Sequence, residues 1–349
     1  SVDSIVRSLP GSYTQVDQSQ GSVSVNIRGL TGLGRVNTMI DGVTQTYYGT
    51  SSDTGGFHNF TGNFGTSAFG ALIDQNFLVG IDVERGNFSG AQNGLMGSAN
   101  FRTIGVNDVV SEGNNFGFLG RYSYGSNAVG PSYMGSVAAK EKFEGGQSIG
   151  VLFGYSGKRT SQDYKIGGGG KIKDNNKDID GDGLPDLPTA LDVDSMKQRP
   201  KSYLFKLEYD DELNEAIFSY RKYKNHLAKR GINSDNYQLD YKFDPDSDLI
   251  NLKLLLSYNT TGQTYDKDAS LAWGTLKNGM EFKNDALVTD ISNTFLFDIA
   301  DELKLSSPVS LCVMLEDPIF ITILFASFTF CLIFILLLKS VNDFFCNLQ

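Results

Sequence analysis

From about residue 114 to residue 299, apolar and polar residues alternate with a period of two, the pattern of strands whose two faces meet different surroundings. Phe116, Phe118, Tyr122 and Tyr124 fall on one face; Gly117, Arg121 and Ser123 fall on the other. Tyr133, Val137 and Ala139 then oppose Ser136, Lys140 and Lys142, and Ile149, Val151, Phe153 and Tyr155 oppose Ser148, Gly150 and Gly154. Tyr203, Phe205, Leu207 and Tyr209 face away from Lys206 and Glu208, and Ala216, Phe218 and Tyr220 from Ser219 and Arg221. Tyr237, Leu239, Tyr241 and Phe243 oppose Gln238, Asp240 and Lys242, and stretches over 250–258 and 291–299 complete eight segments.

The connections add what the period alone does not require. Links around 144–146, 210–214 and 245–248 are short, whereas 158–200, 224–235 and 260–289 are long and 125–131 is modest. Short turns at one end, long loops at the other and Tyr-rich segments of about ten residues predict an antiparallel transmembrane β-barrel of the outer-membrane kind. A soluble β-sandwich or lipocalin-like barrel would alternate too, and is the competing architecture.

The flanks read differently. Residues 1–110 are dense in Gly, Asn and Ser with short β-like runs at 23–28, 36–40, 77–85 and 99–103, which predicts a compact mixed α/β module suited to a water-filled lumen. No signal peptide opens the chain and its first residue is Ser, so its beginning is expected to be missing. At the other end, 319–338 is an uncharged run of bilayer-spanning length, and all three cysteines, Cys312, Cys331 and Cys346, lie in that tail. The expected division is therefore 1–110, 111–304 and 305–349.

Composition narrows the function. Lys+Arg 30 against Asp+Glu 40 gives a net charge of -10, which leaves no basic surplus for nucleic acid. Two His and three Cys leave little for a Cys/His zinc cluster. No nucleophile–base pair, phosphate loop or paired-carboxylate signature stands out, so catalysis is not expected.

Three stretches in order, Asn26-Ile27-Arg28-Gly29-Leu30, then 35–43 with Asp41-Gly42, then Ile81-Asp82-Val83-Glu84-Arg85-Gly86, resemble the plug domain of a TonB-dependent outer-membrane receptor, as does the opening 5–11. The phrasing of 36–48 and 88–100 is most similar to the haem, haemoglobin and haemophore receptors. The resemblance implies a plug inside a barrel of about twenty-two strands, hence only about eight of them here, and transport powered by TonB pulling on a segment ahead of residue 1. It further implies that Arg28, Glu84 and Arg85 contact the inner barrel wall and seat the plug. From the residues alone, the Arg28-Gly29 and Asp41-Gly42 pairs are tight turns.

His58, in the Gly-rich loop 53–60, would be an axial haem ligand, with Phe57, Phe60 or Tyr47 against the porphyrin and His226 as a second ligand; a solvated loop histidine is the alternative for each. Asp178, Asp180, Asp182 and Asp186 occupy positions 1, 3, 5 and 9 of a calcium-loop pattern with Gly183 at 6, but Thr189 stands at 12 in place of Glu. An acidic solvated loop is the other reading.

The expected function is therefore that of a fragment, inactive alone, of a TonB-dependent receptor for haem or another iron compound, whose intact parent sits in the outer membrane. Its rivals are a calcium-stabilised surface β-protein with an adhesive or structural role and the product of a degraded gene. The tail reads as a shifted frame or fusion, or as a membrane anchor followed by Lys339.

Overall fold

The computed structural model describes residues 12–17, 22–30, 35–45, 72, 74–85, 94–161, 163–165, 167, 170–171, 197–227, 230–266, 270–271, 274–275, 280–300 and 303–315. The chain divides into two units, Ser1–Met314 and Leu315–Gln349, and the expectations about the tail past residue 315 lie outside the described residues.

In the N-terminal module, β1 (Ser12–Asp17) and β2 (Ser22–Ile27) form a hairpin. A four-stranded sheet follows, built from β3 (Val36–Ile40), β4 (Val43–Thr44), β5 (Leu78–Arg85) and β6 (Gly97–Thr103) in the order β4-β3-β6-β5. The parallel β3–β6 pairing brings together segments some sixty residues apart, with Val36 opposite Gly97 and Ile40 opposite Phe101. Val25, Ile27, Val36, Ala99 and Phe101 make a buried core. Asp41 and Gly42, at φ 47° and 81°, turn β3 into β4. Positive φ at both central positions is the hairpin turn that an Asp-Gly pair encodes. Among the described residues of the module, helix is confined to short 3-10 turns at Gln75–Phe77 and Val106–Asp108.

The rest is a meander of β7 (Phe116–Gly125), β8 (Gly130–Lys142), β9 (Ser148–Lys158), β10 (Lys201–Asp210), β11 (Asn214–Leu227), β12 (Arg230–Ser247) and β13 (Ile250–Tyr265). After a small hairpin of β14 (Ser270–Leu271) and β15 (Gly274–Thr275) come β16 (Glu281–Ala300) and β17 (Leu303–Leu315). β7 to β13, β16 and β17 form one nine-stranded antiparallel sheet in sequence order. The ninth strand, β17, extends the sheet past the eight segments read from alternation.

The alternation is borne out face by face. Phe118, Tyr122 and Tyr124 are 69%, 73% and 71% exposed, whereas Leu152, Ser156, Leu204 and Gln238 on the opposite face are nearly inaccessible. On the exposed face the register lines up Phe153, Phe205, Tyr220, Tyr237 and Tyr258 across five strands, with neighbouring rings such as Tyr220 and Tyr237 4.8 Å apart.

Two expected loops are shorter than the sequence suggested. The connection expected over 224–235 is largely strand, because β11 runs to Leu227 and β12 starts at Arg230. Likewise β13 and β16 shrink the stretch expected over 260–289 to 266–280. A strand needs only about ten residues to cross hydrocarbon. Beyond it, ladder hydrogen bonds continue where strict alternation lapses, as in Ala286-Leu287-Val288 of β16, and periodicity gives no sign of them.

Candidate functional site

The buried face of the large sheet receives the N-terminal module. Phe77, Ile104, Val106, Val109 and Val110 pack on Met134, Ala138, Leu152 and Leu204 of β8 to β10. Glycines on this face let backbone approach. A Cβ on Gly154 would lie 2.7 Å from the Phe77 ring, and one on Gly117 would lie 2.0 Å from the Val109 carbonyl oxygen.

Polar contacts surround this patch. Arg121 donates to the carbonyls of Asn76 (2.7 Å) and Leu78 (3.0 Å). The Asn76 amide donates to Ser132 and Ser156, each at 2.9 Å. The Val106 N–H donates to Glu208 (2.9 Å), and Asn259 donates to Gln45 (3.3 Å).

The densest contact is Asp41. Its carboxylate accepts from the Thr103 N–H (2.8 Å) and hydroxyl (2.6 Å) within the module and from Arg221 Nη1 (3.1 Å) across the interface, with Lys206 Nζ at 3.7 Å. Its backbone carbonyl accepts from Gln238 (2.6 Å). The side chains of Asp41, Arg221 and Lys206 are only 15%, 12% and 8% exposed. Burial pushes the Asp41 carboxyl up, but Lys206, Arg221 and the Thr103 hydrogen bonds outweigh it and hold the group below its ordinary 3.8. Asp74 shows the opposite balance: burial dominates, and the Asn76 N–H and nearby Ser156, Lys158 and Ser202 do not offset it, so its carboxyl is raised.

Asp41 separates two spaces. Toward the long connections lies a small cavity of about 30 Å³ whose lining includes Gln45, Asp74, Thr103, Ser202 and Arg221. Toward the short turns lies an open cleft of about 430 Å³ between Gly42 and the strand residues Glu215, Asp240, Lys242, Lys253 and Leu255. Among the described residues, the module is held on the sheet by an apolar patch, the buried charge cluster at Asp41 and a rim of exchangeable hydrogen bonds. Among the described residues, no group of three or more His, Cys, Asp or Glu is placed to hold a metal ion.

The family model of the TonB-dependent Receptor Plug Domain matches residues 1–99. A probable TonB-dependent receptor of Haemophilus influenzae is 32% identical over 398 aligned positions, covering 88% of this chain and 43% of that protein. The chain is a homologue of TonB-dependent receptors and carries their plug domain. Solved structures agree on the fold. A double mutant of the Serratia marcescens hemophore receptor HasR, in complex with its hemophore HasA and heme, superposes with a TM-score of 0.66 at 22% identity, covering 89% of this chain and 42% of that one. The FrpB iron transporter from Neisseria meningitidis gives 0.60 at 13% identity, covering 89% and 44%. A mutant ferric enterobactin receptor from Pseudomonas aeruginosa gives 0.58 at 15%, covering 91% and 47%. The chain spans a little under half the length of these relatives.

By fold, the N-terminal module is thus the plug and the nine-stranded sheet a section of barrel wall. Of the residues singled out by sequence, Tyr47, Phe57, His58, Phe60, Asp178, Asp180, Asp182 and Asp186 lie outside the described residues. His226 stands near the end of β11 with Nε2 2.8 Å from Asp266 Oδ2, both side chains exposed. Arg28 is exposed in the turn after β2, at φ 54° with Gly29 at 88°; Glu84 is exposed on β5, and Arg85 ends that strand. Asp41 is the residue sequence reasoning missed: its Asp-Gly pair accounts fully for a turn and leaves no sign of the two cations it meets.

Proposed function

We propose that the chain is part of an outer-membrane receptor that admits an iron compound, with haem as the ligand, when TonB pulls on the plug. The observation that carries this reading is the way the plug is seated. A buried carboxylate meets two wall cations, a small apolar patch packs Phe77 and the 104–110 segment on β8 to β10, and the other contacts are hydrogen bonds that water can replace, so a directed pull has few strong links to break. Arg28, Glu84 and Arg85 belong to the same gating apparatus as charges on the plug's own turns and strand ends.

Haem would sit on the outward loops, with His58 as axial ligand, Phe57, Phe60 and Tyr47 against the macrocycle, and His226 as second ligand. Asp266 orients the His226 ring, as carboxylates commonly do for metal-binding imidazoles. Calcium at Asp178, Asp180, Asp182 and Asp186 would order the long connection after β9. The division into plug (1–110) and wall (from 111) belongs to this reading, with the wall continuing through β17 to Leu315 and not stopping at the expected 304. Its support is the plug match together with fold neighbours named as a hemophore receptor and as iron transporters.

Haem titration of the full chain in detergent, followed in the Soret region, tests the ligand. A red-shifted, saturable band that weakens at least tenfold in affinity in His58→Ala is expected, with a smaller loss in His226→Ala. An identical spectrum for free haem and for haem with the chain would remove haem from the proposal.

A further inference from the structure

The exposed face of the wall carries an ordered sequence of rows. Nearest the short turns, Ile149, Tyr209, Ala216, Tyr241 and Leu254 align across five strands, with Glu141 beside them on β8. The row of Phe153, Phe205, Tyr220, Tyr237 and Tyr258 lies further along, and then Tyr155 and Tyr203 continue into Lys222 and Asp235. One step beyond, toward the long connections, the row reads Gly157, Lys201, Lys224, Asn233, Gly262 and Lys283. Aromatic rows bounding an apolar band are how a wall strand meets the two interfaces of a bilayer.

The charges just outside that band are unequal at its two ends. Lys222 is paired with Asp235 at 2.6 Å and Lys283 with Asp285 at 3.0 Å. Lys201 and Lys224 are exposed and directly opposite each other in the register, one step from Tyr203. Like charges in directly opposed cross-strand positions repel, with their Cβ atoms only about 5 Å apart. No other charged side chain shares their row between β9 and β13. At the short-turn end the same face of β8 to β13 carries Glu141 and no lysine or arginine, with Asp211 in the adjoining turn accepting from the Tyr209 hydroxyl.

We propose that Lys201 and Lys224 together bind the phosphate of a lipid headgroup in the leaflet on the long-connection side. The site rests on reading the sheet as a membrane-facing wall. Two ammonium groups at the end of an aromatic belt match a phosphate monoester at headgroup depth, where their methylene stems lie along the apolar band and their heads reach the interface. The phosphate also removes the mutual repulsion of the pair, which gives the juxtaposition a purpose in a membrane that it lacks in water.

The full chain in maltoside micelles is mixed with diphosphoryl lipid A or with the same lipid stripped of both phosphates, and retained lipid is read by native mass spectrometry. The wild type should retain the phosphorylated lipid about thirtyfold more strongly, the combined effect of two lysines at an anionic lipid surface. Lys201→Ser with Lys224→Ser should abolish that preference, and Lys201→Arg with Lys224→Arg should keep it. A wild type without preference, or an undiminished preference in the double serine variant, overturns the site. So does lipid displacement by millimolar inorganic phosphate, which would mark a pocket for free anions. A chain that stays monomeric and folded in water without detergent defeats the membrane reading itself, a result separable from loss of selectivity alone.

Discussion

At the scale of single residues, two carboxylates of the plug answer burial in opposite ways. Asp41 is held ionised by Lys206 and Arg221. Asp41→Asn keeps an acceptor for Thr103 but removes the carboxylate that pairs directly with Arg221 and Lys206, leaving only the more distant Asp240 facing them. Removing one partner of a buried pair costs about 3 kcal/mol, so amide exchange in the β3–β4 hairpin of the full chain should quicken by roughly a hundredfold. Because its folded carboxyl lies below the unfolded one, Asp41's contribution is complete above about pH 4 and disappears as pH falls through the depressed folded value. Asp74 has the reverse sign: its raised carboxyl favours the folded state at low pH and opposes it as pH rises through that value. Asp74→Asn, which preserves the acceptor for the Asn76 N–H, should therefore raise the denaturation midpoint at pH 7. The gain should vanish in acid; a midpoint unchanged at both pH values would show that Asp74 is well solvated.

At the scale of elements, the fit of wall to plug depends on side chains that are not there. Gly154 faces Phe77 where a Cβ has no room, and Gly154→Val should destabilise the plug–wall contact by ~1–3 kcal/mol, the range for overpacking a filled site. Limited proteolysis of the plug reads this out, with faster cleavage expected. What the sequence made legible follows the same logic. Strands crossing the apolar band have two faces in different surroundings, so their positions and face assignments from Phe116 to Phe243 could be read from period two. The extensions of β11, β12, β13 and β16 could not, because they are held by backbone pairing, to which side-chain identity is indifferent. Asp41 was hidden for a related reason: its partner Arg221 is 180 residues away, and a turn signal does not say what the turn touches.

At the scale of the whole molecule, the exposed aromatic rows predict an amphiphile-dependent fold. The full chain should give a β-type far-ultraviolet spectrum and resist trypsin over 116–265 in detergent or lipid, and should aggregate when refolded in buffer alone. Equal protease resistance with and without detergent would contradict a lipid-facing wall. The homologous relationship was legible from the three plug stretches because turns and strand ends constrain sequence tightly there. The ligand was not: the candidate histidine His58 and its aromatic neighbours lie outside the described residues.

The overlong hairpins have one more consequence. β11 and β12 continue five residues or so past the last aromatic row, ~17 Å at about 3.4 Å per residue. A cargo arriving from outside would first meet a stiff, hydrogen-bonded parapet well clear of the bilayer. A rim of that kind has already given up its conformational freedom during folding, so capture at it carries little ordering penalty.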